Sequence, residues 1–129
     1  MTRSMRWNCE RQGCFNVKKR LKLEIFDECF PGRIAMTDLD GIVEINGQAL
    51  ILEGKGDHVP LPVGQRLMFE RLTAAGLIAG FVVEIDAETM AVTSLLEIHR
   101  GKWSAKRAAT LADLKTRIRT WAGWAASQP

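Results

Sequence analysis

Residues 38–55 read DLDGIVEINGQALILEGK, and this stretch contains the pattern that decides the fold. Asn46-Gly47 at its centre is the strongest short hairpin signal, because a type I′ turn places both central residues at positive φ. With a two-residue turn, Ile45 faces Gln48, and the residue numbers of every opposed pair add to 93. We therefore predict an antiparallel hairpin with this register.

This register predicts that two acidic side chains meet across the hairpin. Asp40 falls opposite Glu53, and directly opposed residues share a face with Cβ atoms about 4.5–5.5 Å apart. Two carboxylates at that separation repel each other unless a cation or a proton lies between them. A hard cation such as Mg²⁺ takes oxygen ligands from one or two carboxylates and keeps positions for water and phosphate. The hairpin therefore predicts a divalent-metal site.

Lys55 points to the same side of its strand as Glu53, because side chains alternate along a strand with a period of two. The register places Asp38 opposite Lys55. An ammonium here would neutralise a carboxylate or hold a water and a phosphate oxygen. The alternative is a surface strand with compensating Asp–Lys pairs, which contribute little to stability.

The other patterns predict the order α-β-β-α-β-β-α and a mixed sheet flanked by helices. A four-residue period predicts the first helix, although residues 21–25 also alternate as in a strand. Thr110 with Asp113 indicates a capping box at the start of the last helix. The predicted elements are a helix over 17–29, strands within 34–55, a helix over 60–75, strands over 77–85 and 90–98, and a helix from 111. The predicted core stripe of the last helix is Leu111, Leu114, Ile118, Trp121 and Ala125, and the predicted core surface of the hairpin is Leu39, Val43, Leu50 and Leu52.

The net charge of +3 hides a partition along the chain. Residues 1–22 and residues 100–129 each carry seven Lys and Arg against one acid. Residues 23–99 carry four bases against thirteen acids. Basic ends predict a polyanionic partner. Acids in the centre would repel that partner unless some of them bind metal, and we interpret most of them as ordinary solvated positions.

Length and composition indicate one globular domain over residues 1–129. The chain has 47% apolar and 26% charged residues, near the averages for soluble proteins, which excludes a disordered or collagen-like chain. Its longest uncharged apolar run, residues 77–83, is far shorter than the roughly 20 residues of a membrane helix. The first ten residues lack the apolar segment of a secretory signal. We expect a cytoplasmic protein without a membrane partner.

Three cysteines are an odd number, which favours reduced thiols over a closed disulfide framework. Cys9 and Cys14 have a spacing that a zinc site tolerates, with Cys29 as a third ligand, but no fourth ligand is evident. We interpret Cys29 as a buried thiol on the first helix. His58, a lone loop histidine, is set aside.

The hairpin residues resemble the PD-(D/E)XK nuclease superfamily, whose motif is an acid at the end of one hairpin strand and Glu/Asp-x-Lys on the next. Asp40 matches the first acid, and Glu53-Gly54-Lys55 matches the second element. Leu39 stands where the name of the superfamily has proline. The resemblance covers about residues 17–86, and it implies a restriction-endonuclease-like α/β fold with an αβββαβ-type core and basic extensions at both ends.

Holliday-junction resolvases and virus-type replication-repair nucleases of this superfamily have similar spacing and a glutamine on the following helix. Gln65 fits that position. It also lies on the apolar face of its helix, where a polar amide is costly unless it finds partners; the alternative is a hydrogen bond to the local backbone. Many members carry a glutamate on the first helix, for which Glu24 and Glu28 are both candidates.

The resemblance implies a nuclease that cuts DNA with Mg²⁺ or Mn²⁺, in viral or mobile-element replication, repair or recombination. Asp40, Glu53 and the Gly54 carbonyl would bind the metal, and Lys55 would orient the attacking water. A resolvase has two active sites, which implies a homodimer. The alternatives are a nuclease-like fold that binds nucleic acid or protein without cutting, and a zinc-bearing adaptor.

Nucleic acid would contact the basic ends through its phosphates, without sequence readout. Trp7 and Trp103 lie beside basic residues and would stack on bases, although we favour a core-covering role for both. The pattern of the last helix does not decide on which side of the apolar stripe Trp124 lies. The basic residues expected at the phosphates are Lys18, Lys19, Arg20, Lys22, Arg100, Lys102, Lys106 and Arg107.

Overall fold

The structure is a computed structural model, and it describes residues 23–129. The chain divides into two compact units, and the division falls between Asp38 and Leu39. The predictions for Trp7, Cys9, Cys14 and the basic residues up to Lys22 concern residues outside the described part of the chain. Within residues 23–129, no helix has the length and apolar character that a bilayer span requires.

The described part of the first unit contains a 3₁₀ helix, Leu23–Cys29, which ends just before Pro31-Gly32. The predicted helix is thus helical over 23–29, while residues 17–22 lie outside the description. The prediction of a buried Cys29 is wrong, because its thiol is exposed. A 3₁₀ helix has three residues per turn, so a four-residue apolar repeat does not stay on one face. Accordingly, the helix buries none of its residues.

The second unit is built on a six-stranded, mostly antiparallel sheet with helices. The strand order is β1-β2-β3-β4-β5, and β6 pairs with β4. Only β2 and β3 run parallel, because a crossover helix joins them. The bounds are β1 Gly41–Ile45, β2 Gln48–Gly56, α1 Val63–Thr73, β3 Ile78–Ile85, β4 Val92–His99, β5 Lys102–Trp103, β6 Arg107–Ala108 and α2 Leu111–Ala126.

The hairpin has the predicted register, from Gly41↔Leu52 to Ile45↔Gln48. Its turn is of the predicted kind, since φ is 55° at Asn46 and 84° at Gly47. The first strand is shorter than predicted, because it begins at residue 41 and not at 34. The ladder ends at a hydrogen bond in which the Gly54 backbone N–H donates to the Asp40 Oδ2, with 2.7 Å between the two atoms.

Helix α1 occupies the inner part of the predicted 60–75 segment. It begins after Pro62, which lacks an N–H, and Gly76 ends the segment with a φ of 85°. Helix α2 begins with the predicted capping box, in which Thr110 and Asp113 exchange side-chain and backbone hydrogen bonds. Local turn and cap chemistry therefore sets these boundaries.

The two helices cover opposite faces of the sheet. Helix α1 packs on one core cluster, Ile51, Phe69, Val82 and Ile98. Helix α2 packs on the larger cluster, Leu50, Ala79, Phe81, Val83, Leu95, Ala109, Leu114, Trp121 and Ala125. Alternation along the buried strands sends neighbouring side chains to different faces and produces both cores.

Three predicted core positions are wrong. Leu39 and Val43 are exposed, because β1 is an edge strand of the sheet and residue 39 precedes it. Leu111 is 53% exposed, because it is the first residue of its helix and precedes the buried stripe. Ile118 is half-buried, as a stripe position should be, and packs against the larger cluster. Trp124 is exposed at the margin of the stripe.

Candidate functional site

The polar residues of interest lie at one end of the sheet, on the face that α1 covers. Strands β2 and β3 are parallel, so their carboxyl ends lie at the same edge. In their register Glu53 is beside Val82, and Lys55 is beside Glu84. Because Val82 belongs to the core under α1, these charged side chains point to that same face.

Glu53 is 6% exposed although it is ionisable. The Gln65 Nε2 donates to its Oε1 over 3.2 Å, and the Lys55 Nζ lies 3.6 Å from the same oxygen. The Lys55 side chain is itself only 18% exposed. A buried charge is costly unless it is paired and hydrogen-bonded. The structure therefore brings three of the four predicted catalytic side chains together.

Gln65 comes to this carboxylate from the first turn of α1. The alternative, a hydrogen bond from Gln65 to the local backbone, is not what the structure has, since the amide reaches 12 residues back along the chain. Its Oε1 is buried and has no hydrogen-bond partner among residues 23–129. Buried polar atoms are nearly always satisfied, so this orphaned acceptor beside a carboxylate calls for a donor such as an ordered water.

Asp40 lies at the start of the hairpin, one position beyond the last ladder pair. In the same register its opposite residue is Glu53. The Asp40 Oδ2 accepts the 2.7 Å hydrogen bond from the Gly54 N–H, and Asp40 is exposed. A Cβ at position 54 would lie 3.1 Å from the Ile85 Cδ1 and 3.5 Å from that Oδ2. That Cβ would point away from Glu53 and Lys55, because side chains alternate along β2, so glycine leaves room for the Asp40 carboxylate at the backbone edge of β2.

Glu84, which the sequence reading missed, is the second buried carboxylate on this face. Its carboxylate pairs with Lys106 and accepts hydrogen bonds from the Ser94 Oγ at 2.7 Å and the His58 N–H at 2.6 Å. The Lys106 hydrogen bond, followed by that of Ser94, lowers the pKa of Glu84 to about 2. The available signal was a charged residue inside the apolar run of β3.

His58 also lies nearer to carboxylates than its loop position suggested. Its Nε2 is 3.6 Å from the Asp57 Oδ2, and one ligand atom from each of Asp57, His58 and Glu84 lies within 4.8 Å of the others. Lys106 already neutralises the buried member of this group. An acidic group held by its own lysine is not a strong cation site.

Part of the predicted basic end is engaged within the fold. Lys106 pairs with Glu84 and Arg107 with Glu97, whereas Arg100 and Lys102 are exposed. The Trp103 ring packs edge-on against Phe69 with centroids 6.0 Å apart, and its Nε1 donates to the Glu70 Oε2. The core-covering interpretation of Trp103 is therefore confirmed.

The remaining candidates, Asp38, Glu24 and Glu28, fall in the first unit. Comparison of the chain with protein-family models, with curated proteins and with solved structures finds no match.

Proposed function

We propose that this protein is a nuclease of the PD-(D/E)XK kind, with a restriction-endonuclease-like core, that hydrolyses phosphodiester bonds in DNA with Mg²⁺ or Mn²⁺. The observation that carries the proposal is the contact of Glu53 with both Lys55 and Gln65 beside the Asp40 hairpin end. The β-hairpin, crossover helix and parallel strand that bring these residues together support it.

The donor set fits a hard divalent cation. Asp40, Glu53 and the Gly54 carbonyl would supply oxygen ligands, which Mg²⁺ and Mn²⁺ prefer. The orphaned Gln65 Oε1 supports the fit, because a metal site of this kind retains ordered water that needs acceptors. A bound cation would lower the pKa of a water and polarise a phosphoryl oxygen.

The protein's own residues would position that chemistry. Gln65 donates to Glu53 and holds the carboxylate in one rotamer, as an outer-shell partner does. Lys55 would orient the attacking water and offset the negative charge that develops on the phosphate. Its Nζ stands 3.6 Å from the Glu53 carboxylate, so its ammonium already lies at the acidic centre. Asp40 is exposed, on the side from which a substrate would approach.

DNA is the substrate that the charge distribution favours. Residues 100–129 carry seven bases against one acid, and exposed cations such as Arg100 and Lys102 would bind phosphates without sequence readout. A role in viral or mobile-element DNA repair or recombination, and a homodimer with two sites, belong to the same proposal.

The test compares Lys55→Ala with Lys115→Ala, which removes an exposed lysine of α2 away from the site. Branched, single-stranded and duplex DNA are incubated with Mg²⁺ or Mn²⁺, and circular dichroism checks that both variants fold. We expect Lys55→Ala to lose about 10²–10³-fold in cleavage rate, as removal of a group that stabilises transition-state charge does. DNA binding should survive in this variant, and Lys115→Ala, which removes one exposed cation of the basic end, should cleave like wild type at saturating DNA.

Wild-type protein that cuts none of these substrates with either cation would contradict the proposal. The alternative, a nuclease-like fold that binds nucleic acid or protein without cutting, would then replace it.

A further inference from the structure

A pocket of about 350 Å³ lies on the other face of the sheet, between α2 and the strands β3 and β4. Its walls include Phe81, His99, Trp121 and Trp124. In the β3–β4 register Ala79 is beside His99, so the pocket is at the end of β3 opposite to Glu84. The pocket is therefore separate from the Glu53 site in both face and position along the strand.

The aromatic rim of this pocket is open to solvent. Trp124 is 42% exposed, and His99 is exposed beside it, with ring centroids 6.4 Å apart at an angle of 84°. Trp121 also lines the pocket, but its side chain is buried. Trp is highly buried on average, so an exposed indole at the mouth of a concave pocket indicates a surface for a planar ligand.

Cations lie in and beside the polar wall of the pocket. Glu97 and Arg117 line the pocket and pair with each other, and Arg107, which pairs with the same carboxylate, lies outside the lining. The Arg117 guanidinium carbon also lies 5.3 Å from the centre of the Phe81 ring. The β4–β5 ladder places Lys102 directly opposite His99, whereas the Arg100 guanidinium lies against Gly76, on the connection between α1 and β3.

Aromatic surfaces with surrounding cations are the features that single-stranded nucleic acids need, because bases stack and phosphates require positive charge. The volume is at the small end of ligand pockets and suits one planar ring system better than an extended peptide. We infer that this pocket binds an unpaired nucleobase of a single-stranded DNA segment, by stacking on Trp124 and His99. The choice of DNA rests on the proposed nuclease function.

The test measures the affinity of a fluorescein-labelled 12-nucleotide oligothymidylate for wild type, Trp124→Ala, Trp124→Phe and Leu111→Ala. Leu111 is a matched control, because it is an exposed apolar residue of the same helix outside the pocket. We expect Trp124→Ala to weaken binding about 5- to 100-fold, which is the range for loss of one base–aromatic stack. Trp124→Phe should retain part of the affinity, and Leu111→Ala should bind like wild type.

A second probe is an abasic oligonucleotide of the same length, which keeps the phosphates and lacks the bases. Wild type should bind it more weakly than oligothymidylate, and Trp124→Ala should bind it no worse than wild type does. Equal wild-type affinity for the two probes would overturn the inference. The inference would also be overturned if binding of a glutamate–tyrosine copolymer required Trp124 while binding of oligothymidylate did not. That result would assign the pocket to a protein partner.

Cleavage separates this inference from the proposed function. Trp124→Ala should leave kcat on duplex DNA unchanged, because Trp124 lies on the other face from Glu53. Base-dependent binding without any cleavage would support the pocket and contradict the nuclease. Cleavage together with equal binding of the two probes would support the nuclease and contradict the pocket.

Discussion

Glu53 and Glu84 are both 6% exposed and lie on the same face of one sheet, but their carboxylates have different surroundings. Glu84 has an ion pair with Lys106 and hydrogen bonds from Ser94 and the His58 N–H. Glu53 has one amide donor at 3.2 Å and one ammonium at 3.6 Å. A carboxylate accepts about four hydrogen bonds, so with the partners that residues 23–129 supply Glu84 is close to saturated and Glu53 is not.

The difference separates a structural charge from a charge that is available to a ligand. Saturated buried ion pairs hold a fold together in the sense that breaking them costs stability. A buried ion pair whose carboxylate lacks part of its hydrogen bonds lowers stability relative to an apolar side chain. A natural protein retains such a pair where function requires it. The comparison therefore supports Glu53, and not Glu84, as a metal ligand.

Removal of the saturated carboxylate should have the largest effect on stability. Glu84→Met leaves the Ser94 hydroxyl and the His58 N–H without their acceptor, and we expect a loss of about 2 kcal/mol in the free energy of unfolding. The loss stays below that of a fully buried pair, because the Lys106 side chain is 54% exposed and regains water. Urea unfolding at pH 7 measures it, with the exposed Glu88→Met as the control.

If the free energy of unfolding of Glu84→Met equals that of wild type, Glu84 is not a structural charge, and the distinction from Glu53 fails.

The same carboxylate should give the protein a recognisable acid response. The pKa of Glu84 is lowered from 4.5 to about 2, so its contribution is fully present above pH 4.5 and disappears as the pH falls to about 2. Wild type should therefore lose more stability in this window than Glu84→Gln does. Asp86 and Asp113, whose pKa values are also lowered, titrate in both proteins and cancel in the difference.

Urea unfolding from pH 5 to pH 2 measures the two slopes. Parallel curves for wild type and Glu84→Gln would contradict the assignment of a depressed pKa to Glu84.

The contrast also explains which features the sequence could predict. The hairpin register, the capping box and the strand over 78–85 depend on neighbours within a few residues, so turn chemistry and periodicity indicate them. These local features need no knowledge of how distant elements pack. The approach of Gln65 to Glu53 does depend on the packing of α1 beside β2, and only the resemblance to the nuclease superfamily placed Gln65 at the site.

The features that the sequence did not predict depend on distant elements. Lys106 reaches Glu84 from 22 residues away, and no local spacing relates the two. The exposure of Val43 depends on where the sheet ends, and that of Leu111 on its place at the start of α2; periodicity contains neither. Cys29 was misplaced because an apolar repeat does not distinguish an α-helix from a 3₁₀ helix.

The smallest loss of stability is expected where the charges are undersaturated. The double variant Glu53→Met/Lys55→Met is made in a Gln65→Leu background, so that no buried amide loses its acceptor, and both members of the pair become apolar groups of similar length on the face that α1 covers. Replacement of a whole buried pair by apolar residues is often neutral or stabilising by about 1–4 kcal/mol, whereas removal of one partner leaves an uncompensated charge. We expect the double variant to be at least as stable as wild type, and Lys55→Met alone to be less stable.

Calorimetric titration with Mn²⁺ completes this test, because the double variant should keep its stability and lose the metal. A loss as large as that of Glu84→Met would show that the Glu53–Lys55 pair is structural, since the fold would then depend on its charges. If the double variant is as stable as wild type but neither protein binds Mn²⁺, the Glu53–Lys55 pair is dispensable to the fold. Its retention would then need a ligand other than a divalent cation.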